Sequence, residues 1–379
     1  MRQLVILGFL VTWTQLGYLQ PLCAVTLGQV DDFSDLTTQG WSHGFSSPNP
    51  PRNVNTGGPD GTGDAYLEIT STNLRRAGGR LVGFNRAHWG GMSNYVTEGI
   101  TALVIDVNNF GATPLNLRLA INGAGGGFAS TDPVPLVSGS GWRRVSLPLA
   151  AGDFTPVSGS GAILGTDFNA TLGELTELRM LSSTAPAFKG DIILANLGVD
   201  NITAALRGDF NFDTLFDLQD LELLYRQHNL VAGVSTTTGD PFDLDGNELI
   251  DNTDLDEWLE IAGLHNEYTS AYQRGDADNV GAVSPAARTV DITDFNVLAG
   301  NFDPLGNSVT PNTWDRANFD GDTDVDITDF NSLAENFAPL GYGASAVTVP
   351  EPGYLPLLAC VGLLFALFRC VRCDVGVRS

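Results

Sequence analysis

The chain has 379 residues, a formal net charge of −25 and 43% apolar residues. At about 100–200 residues per domain, that length holds two or three compact units and excludes a single small domain. So large an acidic excess leaves too few cations to neutralise phosphate, which excludes nucleic acid and anionic membrane surfaces as electrostatic partners and points to metal cations.

The first predicted element is a leader. Arg2 precedes an apolar stretch over residues 4–22, and Leu22-Cys23-Ala24 leads into polar sequence, the pattern of a secretory signal peptide (1–24) removed after Ala24. An uncleaved N-terminal anchor is the alternative. Cys23, Cys360, Cys370 and Cys373 all lie in the two end segments. The exported part therefore relies on hydrophobic cores and metal rather than on disulfides.

Residues 25–203 alternate apolar and polar positions, as in Leu103, Ile105 and Val107, in Leu115, Leu117, Leu119 and Ile121, and in Val145, Leu147 and Leu149. Gly- and Ser-rich turns lie between these runs, so the spacing predicts about eight half-buried antiparallel strands in a β-sandwich. The order of features resembles the jelly-roll family of galactose-binding-like carbohydrate-binding modules. It opens with Val30-Asp31-Asp32-Phe33 and Gly40-Trp41, continues with Ala65-Tyr66-Leu67-Glu68-Ile69 and Gly141-Trp142-Arg143-Arg144-Val145, and closes with Gly198-Val199-Asp200-Asn201-Ile202. The resemblance implies a polysaccharide or glycan ligand. Trp89, Tyr95 and Arg86, in a polar and aromatic cluster, are the candidate sugar-binding residues, because sugars stack on flat rings and hydrogen-bond to polar groups. Trp41 and Trp142 read as core residues. Asp32 and Asp200 are candidates to share a structural Ca²⁺, as in some relatives, or are exposed strand-end acids.

Catalysis is the less supported reading of this segment. A glycoside hydrolase needs two carboxylates facing one cleft. Glu174 and Glu177, three apart beside Leu175 and Leu178, read as surface acids, and no nucleophile motif accompanies them.

Residues 205–345 carry 27 Asp plus Glu against 5 Lys plus Arg. Regularly placed Leu, Phe, Ile and Trp argue against acidic disorder. The segment is a repeat: residues 290–306 recur at 325–341 with 14 of 17 positions identical, and weaker copies precede them, with last acids at Asp220 and Asp254. The first unit places Asp209, Asn211, Asp213, Asp217 and Asp220 at positions 1, 3, 5, 9 and 12 of a loop, and the second places Asp243, Asp245, Asn247, Asp251 and Asp254 likewise. With the position-7 carbonyls of Leu215 and Leu249, this spacing surrounds a hard cation such as Ca²⁺ with oxygen. The third unit, Asp276, Asp278, Asp291 and Asp294, is split by an insertion near 280–289. The fourth has Asn318, Asp320, Asp322, Asp324, Asp326 and Asp329.

Aspartate at position 12 and a helix after each loop make the units similar to type I dockerin repeats, in two pairs over 204–265 and 266–345. The resemblance implies calcium-dependent folding and a cohesin-like partner. Where that family carries its docking pair, this chain has Leu218-Gln219, Asn252-Thr253, Ile292-Thr293 and Ile327-Thr328. The position-6 Gly is replaced by Thr214, Glu248 and Thr323. Leu218, Leu221, Leu224 and Tyr225, then Leu255, Trp258 and Leu259, then Phe295, Leu298 and Phe302, then Phe330, Leu333 and Phe337 follow helical spacing and read as core.

The chain closes with Pro350-Glu351-Pro352, an apolar run over 354–368 and Arg369 and Arg372. This tail, 349–373, resembles the PEP-CTERM sorting signal of Gram-negative bacteria. The resemblance implies a transient inner-membrane helix, an exosortase-type processing enzyme as partner, and delivery to the cell surface or extracellular matrix. A plain C-terminal anchor is the alternative. The whole therefore reads as an exported, multidomain, non-catalytic protein: an all-β jelly-roll sandwich, mainly α dockerin-like repeats and a C-terminal hydrophobic helix. A dockerin-bearing component of a polysaccharide-degrading assembly is the alternative.

Overall fold

The computed structural model describes residues 24–342 apart from 45, 228, 280–287 and 309. The leader through Cys23, the Pro350-Glu351-Pro352 motif and the hydrophobic tail lie outside the described residues. Among the described residues no helix is long and apolar enough to cross a membrane.

Thirteen strands build the first unit: β1 (Val30–Asp31), β2 (Trp41–Ser42), β3 (Arg52–Val54), β4 (Tyr66–Thr72), β5 (Val82–Asn85), β6 (Ala102–Asn109), β7 (Leu115–Gly123), β8 (Gly126–Ser130), β9 (Val134–Leu136), β10 (Arg143–Pro148), β11 (Phe154–Val157), β12 (Leu175–Ser182) and β13 (Leu194–Ala205). A single short helix, α1 (Phe168–Gly173), precedes β12. The strands pair antiparallel in two sheets, one in the order β10-β6-β13-β4-β3 with β1 on β13, the other β11-β8-β7-β12-β5-β2 with β9 on β7. The extra strands beyond the eight expected are short segments, such as the two-residue β1 and β2.

The two-residue period decides what each sheet buries. Leu103, Ile105 and Val107 from the first sheet and Leu117, Leu119 and Ile121 from the second enter one continuous core, each such side chain contributing about 1.5–3 kcal/mol by burial. Strand β6 is buried at every position. On the outer face of its sheet, Val104 lines a cavity with Phe210, Phe212 and Phe242 of the repeat region, and Asp106 is covered by Arg144 and Asn201 of the sandwich itself. The edge strand β10 is also covered, since Ser146 donates its backbone N–H to the Gly239 carbonyl at 2.7 Å.

The repeat region carries α2 (Leu218–Gln227), a ribbon of β14 (Val234–Ser235) and β15 (Leu249–Ile250), then α3 (Asn252–His265), α4 (Ile292–Asn301) and α5 (Ile327–Glu335). Both pairs share one core, from Leu206 through Trp258, Tyr272 and Trp314 to Tyr342. Leu221, Leu224, Tyr225, Leu255, Trp258, Leu259, Leu298 and Leu333 are buried as the periodicity expects. The phenylalanines of the second pair are not. Phe302 and Phe337 are about half exposed, and Phe295 meets Phe330 edge-on at 6.4 Å at the surface. The space they were expected to fill is taken by Trp314, Phe319, Tyr272 and Tyr342, which lie outside the four α-helices.

Candidate functional site

The repeat region packs on part of the outer face of the first sheet, around Val104, Arg144 and Ser146, while the outer face of the second carries a basic groove. Val82 and Phe84 of β5 and Arg179 of β12 form the floor of a groove of about 510 Å³, walled by His43 and Gly44, by residues 76–80, and by Ser160, Lys189 and Gly190, with Arg86 at one end. The turn over residues 74–79 is tight enough that only glycine fits at 79, where a Cβ would sit 1.6 Å from the Leu74 carbonyl oxygen. Arg179 is buried, donating from Nη1 to the Phe188 carbonyl at 2.6 Å and lying 4.0 Å over the Phe188 ring. Glu177, two residues before Arg179 on the same face of β12, is shared: Arg179 Nε donates to Oε1 at 2.6 Å and Arg86 Nη2 to Oε2 at 3.0 Å. Arg86 also lies 4.6 Å over the Phe84 ring. Glu177 is therefore a buried counter-ion and not the surface acid its spacing implied. Glu174 remains exposed.

Of the three sugar-binding candidates, only Arg86 reaches this surface. Trp89 and Tyr95 are fully buried. Trp89 Nε1 and Trp41 Nε1 both donate to Asp31 Oδ2, at 2.7 and 2.8 Å, and Tyr95 donates its hydroxyl to the Trp89 carbonyl at 2.8 Å. A buried indole or phenol needs such an acceptor, and none of these rings offers a face to a ligand. Burial raises the Asp31 carboxyl, with the two indole N–H groups opposing it. Trp41 is core as read. Trp142 is only half-buried, in an edge-on cluster with Tyr66 and Phe110.

Of the proposed Asp32 and Asp200 pair, Asp32 is exposed and accepts from Ser34. Asp200 is fully buried, and neither of its oxygens meets hydrogen-bond geometry. Burial raises it to about 7, the Asn201 amide opposes that shift, and the Asp64, Asp106 and Asp32 carboxylates add to it in that order. Asp64 and Asp200 both flank Gly58, and Asp106 on β6 is the cross-strand partner of Asp200.

The four acidic loops share one construction. Their last acid is buried and clamps the loop shut: Asp220 accepts from Phe210 and Asp217, Asp254 from Leu244 and Asp251, Asp294 from Ala277 and Asp291, and Asp329 from Phe319 and Asp326, all through backbone N–H groups. The position-9 acids Asp251, Asp291 and Asp326 are helix N-caps in capping boxes with Asp254, Asp294 and Asp329. Asp217 similarly accepts from Gln219 at 2.7 Å. Each loop thus ends where a helix begins, for a local reason. At position 6, Thr214 and Glu248 adopt positive φ of 69° and 66°, the strained backbone expected where glycine is absent. Thr323 does not. At position 4 the turn is made at positive φ by Phe212, Gly246, Asn279 and Gly321.

Capping leaves oxygen unspent. Carboxylates of Asp243, Asp245 and Asp254, and of Asp276, Asp278 and Asp294, converge within 4.8 Å in the second and third loops. Asp209 Oδ1 in the first, Asn279 Oδ1 in the third and Asp324 Oδ1 in the fourth are buried without a hydrogen-bond partner. Desolvation raises Asp220, Asp276 and Asp329 to about 7 and Asp254 to about 6. Asp213, Asn211 and Asn247 make turn hydrogen bonds within their loops. Asp320 and Asp322 bond backbone N–H groups of the fourth loop, and Asn318 accepts from Gly321 at 2.8 Å. Leu215 and Leu249 hold position 7. An all-oxygen set of this kind fits a hard divalent cation.

The strand pairing and the shared core define the class of the first unit, a two-sheet β-sandwich. No protein-family model and no curated protein matches the chain. Among solved structures the chain is similar to an exo-β-agarase, at 11% identity over 53% of this chain and 30% of that one, with a TM-score of 0.35. It is also similar to a family 11 carbohydrate-binding module from Clostridium thermocellum in complex with a β-1,3-1,4-mixed-linked tetrasaccharide, at 14% identity over 48% of this chain and 98% of that one, with a TM-score of 0.32. The N-terminal cellulose-binding domain of Cellulomonas fimi β-1,4-glucanase C matches at 12% identity over 47% and 94%, with a TM-score of 0.26. The match spans under a third of the agarase chain. Likeness at this level carries no argument about ligand; the architecture rests on the strands themselves.

Proposed function

We propose that this is an exported, non-catalytic glycan-binding protein of the cell surface or extracellular matrix of a Gram-negative bacterium. The sandwich recognises polysaccharide, and the dockerin-like repeats, closed by Ca²⁺, form a rigid body against its back. The observation that carries this reading is the groove on the outer face of the second sheet, where the Phe84 ring meets several hydrogen-bond donors, the mixture a sugar requires. Calcium would be held in the first two loops by Asp209, Asn211, Asp213, Asp217 and Asp220, and by Asp243, Asp245, Asn247, Asp251 and Asp254, with the Leu215 and Leu249 carbonyls. In the third and fourth it would be held by Asp276, Asp278, Asp291 and Asp294, and by Asn318, Asp320, Asp322, Asp324, Asp326 and Asp329. When bound it supplies charge neutralisation and joins loop ends that otherwise repel. Asp200, buried and unpaired beside Asp64, is a further oxygen-rich position for a structural cation. The leader and the Pro350-Glu351-Pro352 tail supply export, an inner-membrane stage and exosortase-type processing. The test is retention of the full chain on a panel of polysaccharides in millimolar Ca²⁺: saturable retention on at least one supports the reading, and retention on none overturns it.

A second reading, docking to a cohesin-like partner in a polysaccharide-degrading assembly, is favoured by one observation. Ile292 and Ile327, at the docking positions of the second pair, are about 60% exposed beside the surface pair Phe295 and Phe330. Capture by a cohesin-type module that is lost in Ile292→Asp with Ile327→Asp supports it; no capture by such modules removes it.

A further inference from the structure

We propose that the groove on the second sheet takes a polyanionic polysaccharide, one whose sugars carry carboxylates or sulfates, in preference to a neutral glycan. This rests on the glycan-binding reading and names the chemical class of its ligand.

Charge placement is the argument. The chain has only 19 Lys plus Arg against 44 Asp plus Glu, and residues 25–204 contain ten of those cations. Five of the ten, Arg76, Arg80, Arg86, Arg179 and Lys189, line this one groove, and no Asp or Glu lines it. Lys189 is the single lysine of the chain. Glu177, buried beside Arg179 on the same face of β12, is already divided between two guanidiniums. One carboxylate cannot neutralise two guanidiniums, and three further cations have no acidic partner in the groove.

These cations divide by what they do. Arg179, buried, and Arg80, donating from Nη1 to the Gly190 carbonyl at 2.6 Å, hold the walls. Arg76 and Lys189 are exposed and make no ion pair, and Arg86 spends one donor on Glu177 with its side chain still 57% exposed. Free guanidinium heads at a partly apolar cleft are the groups that bind carboxylate and sulfate with paired hydrogen bonds. Phe84, half-buried on the floor, gives the apolar side of a sugar ring a place to rest. Most of the chain's negative charge lies in the repeat region, 27 Asp plus Glu against 5 Lys plus Arg over residues 205–345, so the groove is the favourable place for such a ligand to land.

The experiment uses the full chain in millimolar Ca²⁺ and measures retention on polygalacturonate, a sulfated galactan, neutral agarose, a neutral β-glucan and single-stranded DNA. The expected result is retention on either anionic glycan. That retention should weaken about tenfold or more as salt rises from about 50 to about 500 mM. It should fall about tenfold or more in Arg76→Glu with Lys189→Glu, two exposed sites whose change leaves the far-ultraviolet spectrum and melting temperature as they are. Trp142→Ala, on the opposite sheet, should retain it. Retention on neutral glycans that ignores salt and the charge reversals overturns the polyanion proposal and leaves the glycan reading standing. Retention on no polysaccharide, or on DNA alone, overturns both.

Discussion

The Asp294 carboxylate accepts the backbone N–H of Ala277, 17 positions earlier, at 2.8 Å. This one bond closes the third loop despite its insertion, in the geometry by which Asp254 closes the second on Leu244 at 2.6 Å. The converging carboxylates of Asp276, Asp278 and Asp294 follow from it. In Asp294→Ala, the number of Ca²⁺ bound per chain, measured by elemental analysis after dialysis, should fall by one. The buried N–H left without an acceptor should cost about 1–3 kcal/mol in denaturant unfolding. An unchanged metal count would remove the third loop as a site.

Chelation should act on the two units unequally. Without a cation the loops concentrate like charges at the start of each helix, whereas among the described residues of the sandwich no three carboxylates converge as they do in the second and third loops. Circular dichroism in EDTA should show helical signal lost from α2 to α5 and the strand signal kept, with recovery on adding Ca²⁺. Loss of both together would mean that the units fold only as one.

The pH dependence has a definite sign. Burial raises Asp220, Asp276 and Asp329 to about 7 and Asp254 to about 6, against an ordinary value near 3.8. Without metal the folded chain therefore binds more protons than the unfolded one between roughly pH 4 and 7, so its stability rises as pH falls through 7. Bound Ca²⁺ competes with those protons. The rise in melting temperature that Ca²⁺ produces should be largest near pH 8 and shrink towards pH 6, and the melting temperature in EDTA should move the opposite way. A Ca²⁺ effect independent of pH across that window would show that these carboxylates are not the ligands.

Trp89→Ala should unfold rather than disarm the sandwich. It removes a fully buried indole and one of two donors to Asp31, a loss of about 3–5 kcal/mol. Glycan retention per folded molecule should stay unchanged, read by normalising to the near-ultraviolet signal. Loss of retention at full folded signal would return Trp89 to the ligand site.

What the sequence made legible was local. The repeated Asp-x-x-Asp spacing at the loop ends was visible because it lies within one turn, and in the structure Asp251 with Asp254 and Asp326 with Asp329 form capping boxes. Alternation located β6, β7 and β10 for the same reason. The groove was not legible, because Arg76, Arg86, Arg179 and Lys189 meet only after β5 pairs with β12, and neither strand announces its neighbour. Aromatic residues misled in both directions. Trp89 sits in a polar stretch yet turns inward to Asp31, while Phe302 and Phe337 follow a helical stripe whose inner side Trp314 and Tyr342 already fill.

The most direct test of the central claim is retention of the full chain on anionic and neutral polysaccharides, compared in Ca²⁺ and in EDTA. Recognition assigned to the sandwich gives saturable retention on at least one polysaccharide, preserved in EDTA while the helical signal falls. Retention on none, or retention that disappears with the helices while the strand signal stays intact, would contradict the account and move recognition to the repeats.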